Sequence, residues 1–162
     1  MAKKPDMDAL VDWIVESGMA KMEELSGFYD DDIAALERTN NVHLPRAYKE
    51  FLSSIGYSSS NVFYSVLFVY PGLETYRLLA YEMAEQCKIQ LTPSDFVFLI
   101  DDTQFFYFDT KSGDDPEVYK YMEGDDAPKK VFDHFSDWLT DFVTVEGELE
   151  RKYRSGRKRS PI

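Results

Sequence analysis

The sequence predicts an α+β fold, in which a mostly antiparallel sheet has helices packed on one side. Apolar residues recur at helical spacing in the first half of the chain and again near its end. Between them, over residues 96–132, short runs rich in Phe, Val and Tyr alternate with polar turns of hairpin length. A chain of 162 residues fits one domain with a substantial core.

The N-terminal segment is predicted to be helical over residues 7–25, with an interruption at Gly18. After the interruption, apolar residues resume at a spacing of three: Met19, Met22 and Leu25. We interpret these methionines as residues that fill irregular gaps in the core.

Residues 31–56 are predicted to form two short helices around which the rest of the chain is organised. Three aspartates before Ile33 favour the start of the first helix, and Asn40-Asn41 permits the chain reversal. In the second helix, Pro45 suits the first helical position and Gly56 suits a left-handed stop. Its predicted buried stripe is Tyr48, Phe51, Leu52 and Ile55.

The remaining elements alternate between strands and helices. Residues 61–70 predict a strand with two apolar faces, and residues 73–88 predict a helix with Cys87 on its apolar stripe. Four strands of a meander are predicted over residues 96–100, 105–108, 117–122 and 131–132. A closing helix follows with Phe135 at its start, for which Ser136 or Asp133 is the expected cap.

The central helix pair carries a motif formed by Leu44, Pro45, Tyr48, Phe51, Leu52 and Gly56, preceded by Leu36-Glu37. This motif resembles that of the SUKH superfamily, which includes fungal regulators of cell-wall assembly and bacterial immunity proteins that neutralise polymorphic toxins. Residues 134–139 are similar to the family's closing helix, although Phe135 precedes Ser136 here. The resemblance implies one SUKH-like domain over residues 1–153, with its core at about 31–143 after an N-terminal helical extension. Residues 154–162 are expected to be a basic, disordered tail.

The charge of the chain is unevenly distributed. Residues 1–150 carry a net charge of −18, whereas residues 151–162 carry +6. So acidic a body should repel nucleic acid and attract a basic partner; the alternative interpretation is that the acids serve solubility. There is no apolar run long enough to span a membrane, no signal-peptide pattern, and a single cysteine, which together predict a soluble cytoplasmic protein.

Catalytic and metal-binding patterns were sought, and none is convincing. The chain has no Gly-rich phosphate loop, HExxH, Gly-x-Ser-x-Gly or CxxC pattern, and we expect no cofactor and no metal. The two histidines, His43 and His134, are interpreted as capping or surface residues. Carboxylate pairs occur in the turns, but the sequence places no apolar wall beside them to raise a pKa, so we expect no enzymatic activity.

The acidic turns of the meander predict a candidate binding surface. Alternate turns of an up-and-down meander lie at the same end of the sheet, so the first and third turns should be neighbours. We call their acids the acidic rim: Asp101, Asp102, Glu123, Asp125 and Asp126. The acids of the second turn should lie at the opposite end: Asp109, Asp114 and Asp115. Such a rim would focus negative potential on a basic protein partner, and the alternative is that these are solvated turns without a partner.

The SUKH resemblance implies a protein that acts by binding. The hypothesis is an immunity protein that docks an acidic surface on a cognate toxin, for example a nuclease, whose cleft must be basic to hold its substrate. The first alternative is an intracellular regulatory adaptor of the fungal type. The second alternative is an enzyme acting through carboxylates.

Overall fold

The computed structural model describes residues 6–56, 73–101 and 103–157, and its elements follow the predicted order. The elements are α1 (Met7–Ser17), a 3₁₀ turn (Met22–Glu24), α2 (Asp30–Asn40), α3 (Arg46–Ile55), α4 (Leu73–Gln86), β1 (Asp95–Asp101), β2 (Gln104–Asp109), β3 (Val118–Met122), β4 (Lys129–Phe132) and α5 (Phe135–Arg157). The strand predicted over residues 61–70 lies outside the described residues.

The four strands form one antiparallel sheet in the order β1-β2-β3-β4, which confirms the predicted meander. A register shift between Val97 and Leu99 interrupts the pairing of β1 with β2. With the five helices found among the described residues and this sheet, the α+β class is confirmed.

Helices cover both faces of the sheet, so the predicted placement on one side holds for α1, α2, α3 and α5 but not for α4. Phe106 packs with the large cluster formed with those helices, whereas its neighbour Phe105 belongs to a second cluster with Ala80 and Ala84 of α4. Adjacent residues of a strand face opposite sides of a sheet. Because the side chains of β1 and β2 are apolar on both faces of the sheet, each face must be covered by a separate set of helices to be buried.

The predicted apolar stripe of α3 is confirmed as the centre of the larger cluster. Tyr48, Phe51, Leu52 and Ile55 are all fully buried. The ring centroid of Tyr48 lies 5.3 Å from that of Phe108 on the sheet and 5.4 Å from that of Phe135 at the start of α5. The stripe therefore joins the sheet to the closing helix.

The start of α3 is held by two other segments. The helix begins at Arg46, so Pro45 is the residue immediately before it. The prediction that Pro45 is the first helical residue is therefore wrong by one position. Ala47 N–H donates to the Asp114 carbonyl at 2.9 Å, and Leu44 N–H donates to Glu37 Oε1 at 2.8 Å. The first bond satisfies an amide group that a helix start leaves without an internal partner, and the second ties the segment before α3 to α2.

The predicted left-handed stop at Gly56 is wrong, because the residue has a right-handed φ of −62°. Glycine is required there for a steric reason. A Cβ atom would lie 2.6 Å from the Leu52 carbonyl oxygen and 2.8 Å from a ring carbon of Phe28. The close approach of Phe28 to the end of α3 therefore depends on Gly56.

The ends of α1 and α5 lie together. Gly18, with a φ of +81°, ends α1 as predicted, and Arg154 of α5 donates from Nη2 to its carbonyl at 2.5 Å. Residues 154–157 are helical, so the expected disorder does not hold for them; residues 158–162 lie outside the described part. Of the two methionines expected in the core, Met19 is buried but Met22 is 55% exposed, because the chain leaves helical geometry after Gly18.

Replacing Phe51 by Ala is expected to lower the free energy of unfolding by about 3–5 kcal/mol, because the ring is fully buried among other rings. Urea denaturation measures the change. Tyr29→Ala, at a site that is 79% exposed, is the control and should change little. A loss below about 1 kcal/mol for Phe51→Ala would show that α3 is peripheral.

Glu37 is expected to make part of the stability pH-dependent. Partial burial acts to raise the pKa of Glu37, but its ion pair with Lys49, at 2.8 Å, and the Leu44 N–H outweigh that effect and hold the pKa below its ordinary value. A lowered folded-state pKa contributes stability above the unfolded pKa, and this is lost as pH falls through the folded one. Glu37→Gln should therefore lower stability at pH 7 and flatten the decline below about pH 5. Parallel acid denaturation curves for this variant, wild type and the surface control Glu16→Gln would contradict the assignment.

Candidate functional site

The first and third turns of the meander lie side by side, as predicted. In the sheet register Asp101 pairs with Gln104, and Gln104 pairs with Met122. Glu123 N–H then donates to the Thr103 carbonyl at 2.7 Å, which joins the two turns directly. The residues of the acidic rim therefore lie at one end of the sheet, except that Asp102 lies outside the described residues.

The described acids of the rim differ in their contacts. Asp101 is half-buried and accepts a hydrogen bond from Gln104 Nε2 at 3.2 Å, while Asp125 lies 3.6 Å from Lys129 Nζ. Glu123 and Asp126 are exposed, and within the described part of the chain no side-chain hydrogen bond or ion pair is recorded for them. Among the four described carboxylates of the rim, Asp125 is paired with Lys129, and Glu123 and Asp126 are open to a partner.

An exposed apolar side chain, Met122, stands within the rim. It is 39% exposed at the end of β3, and its carbonyl accepts from Asp125 N–H at 2.9 Å in a turn that Gly124 closes with a φ of +96°. The exposure of Met122 is not evident from the sequence, because alternation along a strand does not tell which face is covered. The signal in the sequence that could have identified Met122 as part of the site is its position next to an acidic turn that contains glycine.

The second turn lies at the opposite end of the sheet, and its acids are used within the fold. Asp109 Oδ1 accepts from Lys111 N–H at 2.9 Å, and the carboxylate of Asp114 lies 3.9 Å from Arg46. The backbone of Asp114 also holds the start of α3 through Ala47.

Asp115 caps α5 from a distance in the sequence, which corrects the expected local cap. Its carboxylate accepts from Ser136 N–H at 2.9 Å and from Ser136 Oγ at 2.5 Å, and its carbonyl lies 3.1 Å from His134 Nδ1. Asp133, the other expected cap, instead pairs with Lys130 at 2.9 Å. A sequence pattern cannot reveal a cap supplied 21 residues away.

The described residues offer binding groups more than catalytic ones. Within residues 6–56, 73–101 and 103–157, no group of three His, Cys, Asp or Glu side chains is placed to hold a metal ion. His43 is exposed, and His134 is engaged at the start of α5. Within the pair Asp114-Asp115, the carboxylate of Asp115 has a structural role as the cap of α5. In the same described part of the chain, no helix combines the length and apolar character needed to cross a membrane.

A family model matches most of the chain. The model of the SMI1/KNR4 family (SUKH-1) aligns with residues 27–141. The matched segment includes α2, α3, α4 and all four strands, enters α5, and leaves α1 outside. A search of curated proteins found no match.

Asp115→Ala is expected to destabilise the fold by about 1–2 kcal/mol, because it removes the side-chain cap of α5. Its neighbour provides a matched control: Asp114→Ala removes only an exposed pair with Arg46 and should change stability by less than about 0.5 kcal/mol. Both values come from chemical denaturation. Equal losses for the two variants would contradict the capping role.

Proposed function

The chain belongs to the SMI1/KNR4 family (SUKH-1), and on this premise we propose that it is an immunity protein: a non-catalytic module that binds a basic toxin domain through the acidic rim. The family includes both immunity proteins and regulators. The observation that carries the choice is the bond from Glu123 N–H to the Thr103 carbonyl, which makes two acidic turns one surface.

The electrostatics of the molecule favour a basic partner. Residues 1–150 carry a net charge of −18, so long-range attraction would bring a cationic surface toward the body at an increased rate. A nuclease must hold an anionic substrate and therefore presents a basic cleft. An acidic protein that occupies such a cleft competes directly with the substrate, without any chemistry of its own.

The construction of the rim also suits recognition. Thr103 of the first turn and Glu123 of the third are held together by strand register and a backbone hydrogen bond, so little ordering of these two residues is left to occur on binding. Met122 supplies an apolar contact among the carboxylates, and interfaces commonly combine an apolar centre with a charged surround. In this proposal, Glu123 and Asp126 guide association, and Met122 contributes to the lifetime of the complex.

The test begins with affinity purification of the partner from the source cell and measures association by stopped flow. The double variant Glu123→Gln/Asp126→Asn should slow association several-fold and reduce its dependence on ionic strength, because exposed charges act mainly on the association rate. Met122→Ala should mainly speed dissociation. Inhibition of the toxin's activity is measured in parallel.

The control removes the same charge elsewhere. Asp12→Asn/Glu16→Gln changes two exposed acids of α1 and should affect association much less. Asp115 is unsuitable as a control because it caps α5. Equal slowing of association by both double variants would show that the rim contributes only general electrostatic attraction. If neither variant changed association, the interface would lie elsewhere. A purified partner that is a cellular regulator without toxic activity would favour the adaptor role instead.

A further inference from the structure

The second half of α5 carries a row of exposed apolar side chains. Val145, Leu149 and Tyr153 are 45%, 54% and 58% exposed. At four residues apart, each is offset by about 40° from the next, so all three lie within about 80° on one side of the helix. We call these three residues the α5 stripe; contiguous exposed apolar surface of this kind commonly marks an interaction site.

The opposite side of α5 is fixed on α1, which holds the stripe outward. Trp13 Nε1 donates to the Val143 carbonyl at 3.1 Å, and the Arg151 guanidinium lies 4.4 Å from the centroid of the Trp13 ring. Gly147 permits this contact, because a Cβ there would come 2.3 Å from Trp13 Nε1. The stripe therefore lies on an anchored helix.

The stripe is symmetric about Leu149. Val145 and Tyr153 lie four residues to either side, and half-buried Phe142 and exposed Gly156 lie seven residues to either side. In an antiparallel pair of α5 helices, Val145 would meet Tyr153, Leu149 would meet Leu149, and the Phe142 ring would lie over Gly156. Gly156 has room for it, since a Cβ placed there has no atom within 4 Å.

The charges on this segment fit the same arrangement. Residues 141–157 contain four acids followed by four bases and are neutral overall, within a chain of net charge −12. An antiparallel pair sets the acidic half of one helix beside the basic half of the other, whereas a parallel pair sets like charges together. Glu148 and Lys152 share one flank of the stripe, so Glu148 of one copy lies beside Lys152 of the second.

We propose that the α5 stripe is a self-association surface, on which a second copy of this chain packs antiparallel with a two-fold axis at Leu149. A surface that maps onto itself in this way is what a two-fold symmetric dimer requires. The inference goes beyond toxin binding, because it uses α5 and leaves the rim residues of the sheet turns uninvolved.

Sedimentation equilibrium of the full chain, from micromolar to millimolar concentration, tests the proposal without any partner. The wild type should show a reversible monomer–dimer equilibrium, and Leu149→Glu should remain monomeric with an unchanged circular dichroism spectrum. The matched control Leu78→Glu, on α4 at a site that is 63% exposed, should dimerise like the wild type. A wild type that is monomeric throughout, or equal loss in both variants, would overturn the proposal.

Charge exchange tests the antiparallel direction. Glu148→Lys alone and Lys152→Glu alone should each weaken the dimer at low salt, because each places like charges together across the two-fold axis. The combined variant should recover the wild-type dissociation constant. A combined variant weaker than both single ones would overturn the arrangement.

Cysteine cross-linking in a Cys87→Ala background tests the register. Leu149→Cys should cross-link to itself on mild oxidation, and Val145→Cys should cross-link only when mixed with Tyr153→Cys. Self-linking of Val145→Cys would show a parallel pair and overturn the proposal. If Leu149→Glu left the oligomeric state unchanged and instead weakened toxin binding, the stripe would belong to the toxin interface, and the self-association surface would be refuted.

Discussion

The ring of Tyr48 lies between the sheet and the closing helix, and the packing of α3, the sheet and α5 against one another depends on it. Its centroid is 5.5 Å from Phe96, 5.3 Å from Phe108 and 5.4 Å from Phe135. Rings packed edge-on or tilted at such distances gain more than burial alone. Because α3 carries Tyr48, this contact sets the depth of α3 on the sheet and the point at which α5 begins.

The acidic rim depends on this core through strand register. A slip of β3 by one residue against β2 would turn the side chains of β3 to the opposite faces and place Tyr121, which pairs with Phe105 in the second cluster, on the wrong side of the sheet. The cores on both faces therefore fix the register, and the register in turn places Glu123 N–H opposite the Thr103 carbonyl. The candidate surface is thus set by packing on both faces of the sheet.

Local patterns in the sequence predicted the features that depend on residues close together in the chain. Helical spacing identified the buried face of α3, and the parity of turns in a meander predicted that Asp101 and Glu123 lie at the same end. Contacts between distant segments were missed: Asp115 as the cap of α5, Phe28 against Gly56, and the second face covered by α4. The exposure of Met122 belongs to the same class, because it depends on which helices cover which face.

The two ends of the sheet show how acids with equal formal charge differ in what they do. Asp115 exchanges its hydration for two hydrogen bonds to Ser136, so its charge contributes to the fold. Glu123 and Asp126 remain exposed beside other carboxylates, where like-charge repulsion opposes the compact state and leaves them available to an external cation. A fold in which Asp115 is hydrogen-bonded at one end while Glu123 and Asp126 stay exposed at the other therefore directs negative potential outward from the rim. This asymmetry agrees with binding of a basic partner at that end, and solubility alone would not require it, since solvated acids anywhere on the surface serve solubility equally well.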